Sequence, residues 1–223
     1  MPSQARGLPG VAALRIGVLG GTGPQGRGLA YRLARGGLQV IIGSRDLSRA
    51  TAAAKTVACM DGAGLGTVVP GSNQYAARAD MIITAIPYSV GRAQTLSTLR
   101  GLLAGRIVID CTNPIRYGPA GPELLEIPAG SAAQETALLL PESTVVAAFH
   151  HVAAPMLVQP VDRLYTDVLI ASDDPAASQA VLVLTDRAGM RGVGVGRLSH
   201  TRFLEVLAKD LISLNYKAAR SAR

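Results

Sequence analysis

The sequence predicts an α/β fold, a doubly wound and mainly parallel sheet with helices on both faces and a small α/β extension at the C-terminal end. Three observations predict it. Short apolar runs suited to buried strands, at residues 39–43, 81–86, 106–110 and 144–149, alternate with stretches of helical spacing. The first run, Leu14-Arg15-Ile16-Gly17-Val18-Leu19, passes through a glycine turn directly into a helix start. A chain of 223 residues, 48% hydrophobic and 17% charged, is long and apolar enough to bury a real core.

The glycine turn comes first because the other elements are ordered around it. Gly21, Gly23 and Gly26 form G-x-G-x-x-G between a strand and a helix, the context that makes this pattern a dinucleotide fingerprint. Gly21 is expected to permit the tight turn, Gly23 to let a diphosphate approach the backbone, and Gly26 to let helix and strand pack closely. Pro24 suits a first helical turn, where its missing N–H costs nothing. The free N–H groups and helix dipole over Gly23, Pro24 and Gln25 attract phosphate oxygens. Gly26, Leu29, Ala30, Leu33 and Ala34 repeat toward the sheet, Arg27, Tyr31 and Arg35 face away, and Gly36-Gly37 ends the helix. The fold is thus of Rossmann type.

The second strand, 39–43, ends in Gly43-Ser44-Arg45, and Arg49 follows one helical turn later. An NAD site carries Asp or Glu at this tip to bind the ribose 2′-hydroxyl. Ser44, Arg45 and Arg49 instead make a pocket for a 2′-phosphate, which points to NADP(H). Asp46 is the N-cap of the next helix rather than a ribose ligand.

That helix covers 46–58. A strand near 67–69 and a short helix near 73–78 follow. The fourth strand, 81–86, ends in Ile86-Pro87-Tyr88 at the carboxyl edge of the sheet, where open parallel sheets bind ligands. An apolar tip there suits the nicotinamide side of a cofactor. Residues 90–103 read as helix and 106–110 as the fifth strand. A Pro- and Gly-rich irregular segment runs over 111–130, and loops of that length are usually functional or disordered. Ser131 and Gln134 open a helix to Leu140 as a capping box. The sixth strand, 144–149, ends in His150-His151-Val152-Ala153-Ala154-Pro155. Beyond Pro160 the spacing gives a strand at 167–171, a helix at 175–188, a strand at 192–197 and a terminal helix at 200–219. Leu204, Leu207, Leu211, Ile212 and Leu214 form an apolar stripe on that helix, for core packing or a dimer face.

Composition and motifs exclude several function classes. Net charge is +7, yet the 22 Lys and Arg residues are scattered singly with no basic run, which argues against nucleic acid. Codon bias or anionic ligands could each account for the excess of Arg. No apolar run is long enough to span a membrane, since 81–90 is broken by Pro87. Cys59 and Cys111 form no C-x-x-C and read as reduced thiols of a cytoplasmic protein. His150-His151 lacks metal-ligand spacing, and no G-x-S-x-G elbow supports a hydrolase.

Five segments occur in this order: Gly20-Gly21-Thr22-Gly23 through Gly28, Gly43-Ser44-Arg45 with Arg49, Ile86-Pro87, Asp110 with Thr112-Asn113-Pro114, and Ala148-Phe149-His150-His151-Val152. Together they resemble the F420:NADP oxidoreductases, NADPH-dependent reductases of the deazaflavin coenzyme F420, from about Leu14 to Lys217. The resemblance implies that Thr22, Gly23, Pro24 and Gln25 bind the diphosphate and that Ser44, Arg45 and Arg49 hold the 2′-phosphate. It further implies that Ile86, Pro87, Tyr88 and Ala154 border the nicotinamide, and that Asn113, Pro114, His150 and Val152 hold coenzyme F420 over it. Direct hydride transfer between two stacked rings needs no acid–base residue, so His150 is expected to position a ring. The resemblance also implies a homodimer. The expected organisation is a flexible arm at 1–13, an NADP-binding domain at 14–158 and a small C-terminal part at 159–223 that serves the second cofactor and the dimer contact. The rivals on the same scaffold are an NADPH-dependent flavin, ferric or imine reductase, and a non-catalytic NADP-binding redox sensor.

Overall fold

The computed structural model describes residues 14–62, 66–88, 91–119 and 121–221; the arm at 1–13 and the expected helix start at Val90 lie outside the described residues. The chain runs β1 (Arg15–Leu19), α1 (Pro24–Arg35), β2 (Gln39–Ser44), α2 (Leu47–Ala58), β3 (Thr67–Ser72), α3 (Asn73–Ala76) and β4 (Met81–Thr84). It continues through α4 (Arg92–Leu103), β5 (Ile107–Asp110), β6 (Ile115–Gly118), β7 (Gly121–Leu124), α5 (Ala132–Leu139) and β8 (Thr144–Ala147). The last elements are α6 (Ala154–Leu157), β9 (Asp167–Ser172), α7 (Pro175–Arg187), β10 (Arg191–Gly196) and, after a 3-10 turn, α8 (Thr201–Ser221).

Eight strands form one sheet in the order β10-β9-β8-β5-β4-β1-β2-β3. The six from β3 to β8 are parallel; β9 runs antiparallel to β8, and β10 lies parallel to β9. The C-terminal strands therefore extend the sheet itself. Alternate strand residues feed cores on opposite faces. Ile16, Val18, Ile83 and Ile109 pack under α1, α2 and α7. Leu19, Ile82 and Val108 pack under α3 and α4, and Val145 and Ala147 under α5 and α8. The step from β1 to β4 is thus the switch point, where neighbouring strands send their helices to opposite faces and leave a crevice at their carboxyl ends.

Several boundaries differ from the sequence expectation for a common reason. β4 and β8 end at Thr84 and Ala147, because their neighbours β1 and β5 stop at Leu19 and Asp110 and offer nothing further to pair with. The segment 111–130 is not wholly irregular. It holds the hairpin β6–β7, with Ile115 opposite Leu124 and an Arg116–Glu123 ion pair of 2.8 Å across it.

The left-handed residue of the first turn is Gly20 (φ +66), not Gly21. Gly21 is restricted sterically, since a Cβ there would lie 2.9 Å from the Val18 carbonyl. Gly26 matches its expected role, because a Cβ would sit 2.6 Å from the Gly21 Cα.

Tyr31 does not face away from the core. It is fully buried, with its hydroxyl donating to the Asp61 carbonyl at 2.6 Å. Arg32 beside it is 1% exposed and donates to the carbonyls of Ala188, Val161 and Asp162 at 2.8, 2.7 and 2.7 Å. These contacts cover the outer side of α1 with residue 61 and with chain more than a hundred residues away, which no local periodicity encodes. Arg32→Met removes at least two charge-assisted bonds and leaves buried carbonyls unpaired, so it should lower unfolding stability by about 3 kcal/mol. Denaturant titration checks this; a loss under about 1 kcal/mol would contradict the role given to Arg32.

Candidate active site

Two clefts of about 480 Å3 each open at the carboxyl edge and share one wall, Ala85-Ile86-Pro87. The first lies over the glycine turn. Gly23, the N-cap of α1, has an ordinary φ of −75 and makes no side-chain cap bond. A Cβ built on Gly23 would meet nothing closer than 4.0 Å among the described residues, so none of them demands glycine there. The cradle is open on the side where a diphosphate would lie against the unpaired first-turn N–H groups.

Thr22, Gly23, Ser44, Arg45 and Arg49 all line this cleft. Ser44 is 7% exposed and its Oγ accepts from the Asp46 N–H at 3.1 Å, which leaves its own proton free to donate. Arg45 and Arg49 are exposed and make no side-chain hydrogen bond or ion pair among the described residues. Asp46 caps α2, its carboxylate accepting from Ser48 N, Ser48 Oγ and Arg49 N at 2.8, 2.6 and 3.3 Å. Those bonds, the Ser48 hydroxyl foremost, hold its carboxyl below the usual range. The acid is thereby committed to the helix, and the two guanidiniums are left to meet an anion.

The second cleft is walled by the shared tip, by 150–154 and, on its far side, by Ala208, Leu211, Ile212 and Asn215 of α8. Asn113, His150 and Val152 line it as expected, and Ala154, expected beside the nicotinamide, lines this cleft and not the first. Asn113 Nδ2 donates to the His150 carbonyl at 2.7 Å, while its Oδ1 is buried without a partner. His150 is 4% exposed, and neither ring nitrogen has a partner among the described residues. Burial pushes the ring down to about 4; Asp110 works against that and His151 adds to it. A neutral imidazole offering one donor and one acceptor therefore faces the cleft. His151 points away, with Nε2 2.7 Å from the Asp167 carbonyl. The residue before His150 is strained: Phe149 is fully buried and holds φ 66, the left-handed region. Such a conformation costs about 1–3 kcal/mol in a side-chain-bearing residue and concentrates at functional sites.

Five sequence-predicted residues line neither cleft. Gly21, Pro24 and Gly26 shape the turn and the start of α1, and Pro114 is buried, its carbonyl accepting from Leu125 N at 2.8 Å. Tyr88 lies behind the shared wall, its hydroxyl donating to Glu135 Oε1 at 3.0 Å and its ring under the Arg92 guanidinium at 5.5 Å. Gln25 reaches the second cleft rather than the first.

The sequence reading missed the buried ion pairs beneath the wall. Arg92, 2% exposed and lining the first cleft, reaches Asp110 at 2.6 Å and Glu135 at 2.9 Å and also donates to the Thr136 hydroxyl. Burial alone would raise the Asp110 carboxyl, but Arg92 and Thr136 outweigh it and hold it below the usual range. An arginine opening a helix, against the dipole, is the one sequence signal that could have flagged this residue. A further carboxylate, Glu205 of α8, is fully buried and accepts from Ala132 N at 2.7 Å and from Arg202 at 3.2 Å. It docks the wall of the second cleft onto the start of α5. Burial pushes it up to about 7 despite those bonds.

Comparison with known proteins places these features in a family. A family model described as NADP oxidoreductase, coenzyme F420-dependent, matches residues 15–114. The F420-dependent NADP reductase of Methanothermobacter thermautotrophicus is 34% identical over 213 residues, 93% of this chain and 91% of that protein. The protein of the same name from Methanothermobacter marburgensis is 36% identical over 210 residues, 92% and 93% of the two chains. A solved structure described as an F420-dependent NADP-reductase, from Arthrobacter sp. FB24, superposes with a TM-score of 0.71 at 24% identity, over 87% of this chain and 90% of that one; at that identity it speaks for the fold.

Two titrations in the site oppose each other. Glu205 rises from 4.5 to about 7 on folding, so its contribution is full below pH 4.5 and is lost as pH climbs through about 7. His150 falls from 6.5 to about 4, so its contribution is full above pH 6.5 and is lost as pH falls through about 4. Glu205→Gln removes only the first slope. Denaturant unfolding at several pH values should show the variant's stability climbing more steeply with pH than the parent's between about 5 and 7. Parallel profiles would contradict the environment assigned to Glu205.

Proposed function

The chain belongs to the family of coenzyme F420-dependent NADP oxidoreductases, and from that membership we propose that it passes hydride between NADP(H) in the first cleft and coenzyme F420 in the second. The observation that carries the reading is the shared wall. Both clefts open onto Ala85-Ile86-Pro87, so flat groups entering from either side meet over one apolar tip.

In this reading Thr22, Gly23 and the first-turn N–H groups through Gln25 hold the diphosphate, while Ser44, Arg45 and Arg49 grip the 2′-phosphate. Ile86 and Pro87 border the nicotinamide from the first cleft and Ala154 meets it from the second, with Tyr88 stiffening the wall from behind. Asn113, His150 and Val152 hold the deazaflavin, and Pro114 fixes the chain that presents Asn113. When bound, the cofactors supply the chemistry themselves, a hydride moving between nicotinamide C4 and deazaflavin C5. The protein supplies alignment at about 3–3.5 Å and exclusion of water. Neutral His150 meets the polar edge of a ring and moves no proton in the hydride step.

Residues 14–158 serve as the NADP-binding part and 159–223 as the part that completes the second site through α8. The outer face of α8 carries Phe203 at 72% and Leu214 at 64% exposure, which supports a homodimer contact there. Among the described residues no helix is long and apolar enough to cross a membrane, and Cys59 and Cys111 are unpaired. The cytoplasm is the compartment that suits free thiols.

Two experiments test the reading. Mixing the protein with NADPH and oxidised F420 should bleach the deazaflavin absorbance. Reduction of free flavin alone would favour a flavin reductase, and NADPH binding with no reduction at all would favour a redox sensor. Arg45→Glu combined with Arg49→Ala should abolish the preference for NADP(H) over NAD(H), a loss of at least about a hundredfold for two charge-assisted contacts. A double variant that keeps its preference would mean the 2′-phosphate pocket lies elsewhere.

A further inference from the structure

We infer that Gln25 is a positioning residue that joins the two clefts, holding the turn at 149–152, and with it the His150 ring, from the helix whose first turn carries the diphosphate. The inference rests on the cofactor assignment above for one of its readouts. Its geometric basis does not depend on that assignment.

The Gln25 side chain turns away from the glycine loop. Nε2 donates to the Phe149 carbonyl at 3.4 Å and to the Val152 carbonyl at 3.2 Å. Both amide hydrogens are thereby used, and the remaining Oε1 is an acceptor, which a diphosphate would repel. Only the backbone N–H of residue 25 is left for the first cleft.

The turn it grips needs holding. Phe149 is the one non-glycine residue with positive φ among the described residues, and it is fully buried. Inside the turn the only backbone bond is a 3.3 Å contact from Val152 N to the Phe149 carbonyl. A strained conformation persists only where its surroundings over-determine it. Two side-chain amides hold the turn's carbonyls from outside, Gln25 those of residues 149 and 152 and Asn113 that of His150, and the His151 ring adds a bond to the Asp167 carbonyl. His150 sits between those clamped carbonyls with both ring nitrogens unpartnered, so its aim follows from the clamp. Asn113 belongs to the second cleft. Gln25 is the restraint that comes from α1, and it makes the placement of His150 depend on the element that receives the dinucleotide.

Gln25→Met keeps the length and removes the donors; Gln25→Glu keeps the shape and offers only acceptors. Either should raise KM for F420 and lower kcat, a combined loss of roughly ten- to hundredfold in kcat/KM of the kind small misplacements cause. The Kd for NADPH should stay within about threefold of the parent, since the backbone N–H is untouched, and this also reports a folded protein. Gln25→Lys, which restores a donor at similar reach, should recover most of the loss. Independently of F420, the His150 ring should titrate near 4 in the parent by NMR and move toward 6.5 in the Met and Glu variants as the turn loosens. Variants with parental kinetics and an unmoved His150 titration would overturn the inference, as would a loss confined to NADPH affinity. A parent protein that fails to bind F420 would instead defeat the cofactor assignment and leave the titration to decide the role of Gln25.

Discussion

The structure depends on the divergence of two neighbouring strands. β1 and β4 lie side by side in the sheet, yet the chain leaving β1 turns toward α1 on one face and the chain leaving β4 turns toward α4 on the other. No backbone can fill the space between them at the carboxyl edge, so a crevice is left by topology rather than by side-chain size. Ala85-Ile86-Pro87 rises inside that crevice and divides it into two clefts that meet. The division suits a two-cofactor reaction. In the proposed reading each ligand has its own approach, and the reacting faces meet over an apolar wall.

The rest of the machinery holds that wall and its opposite side in place. Beneath the wall, Arg92 is pinned between Asp110 and Glu135, and Tyr88 closes over the guanidinium. A buried pair of this kind adds little net stability, but losing one partner strands a charge, so it fixes geometry more than it stabilises the fold. On the opposite side, Phe149 is kept in a conformation it would not choose, and Gln25 and Asn113 clamp the carbonyls around it. Among the described residues His150 Nδ1 and Nε2, Asn113 Oδ1 and His151 Nδ1 are buried there without partners, and the first three are atoms a flat heteroaromatic edge would satisfy. Glu205 closes the assembly by joining α8 to the start of α5.

What was legible in the sequence was local chemistry. The glycine turn, the Asp46 cap and the Ser44-Arg45-Arg49 cluster each rest on neighbours a few residues apart, and each is found at the cleft or helix start where it was expected. What was not legible depends on distant chain. Tyr31 and Arg32 are buried because residues 61, 159–162 and 188 cover them. The antiparallel pairing of β9 with β8 is a long-range contact that apolar spacing does not encode. The hairpin β6–β7 lacks strict alternation and hides among Pro and Gly. The direction of the Gln25 side chain was hidden for a subtler reason. Its position in the fingerprint predicts where its backbone goes, but the side chain follows a partner 124 residues away. The resemblance implied that the C-terminal part serves the second site, but the amphipathic stripe of α8, which also suits plain core packing, did not say which residues wall it.

The central claim is that the protein aligns two rings and otherwise takes no part in the transfer. The direct measurement uses NADPH deuterated at the transferring C4 position, mixed with oxidised F420 in ordinary water, followed by mass analysis of the reduced deazaflavin. The account predicts that the deuterium arrives at C5 intact, since no side chain in the meeting zone receives it. Loss of the label to solvent would contradict the account, because it would require an exchanging group between the two clefts.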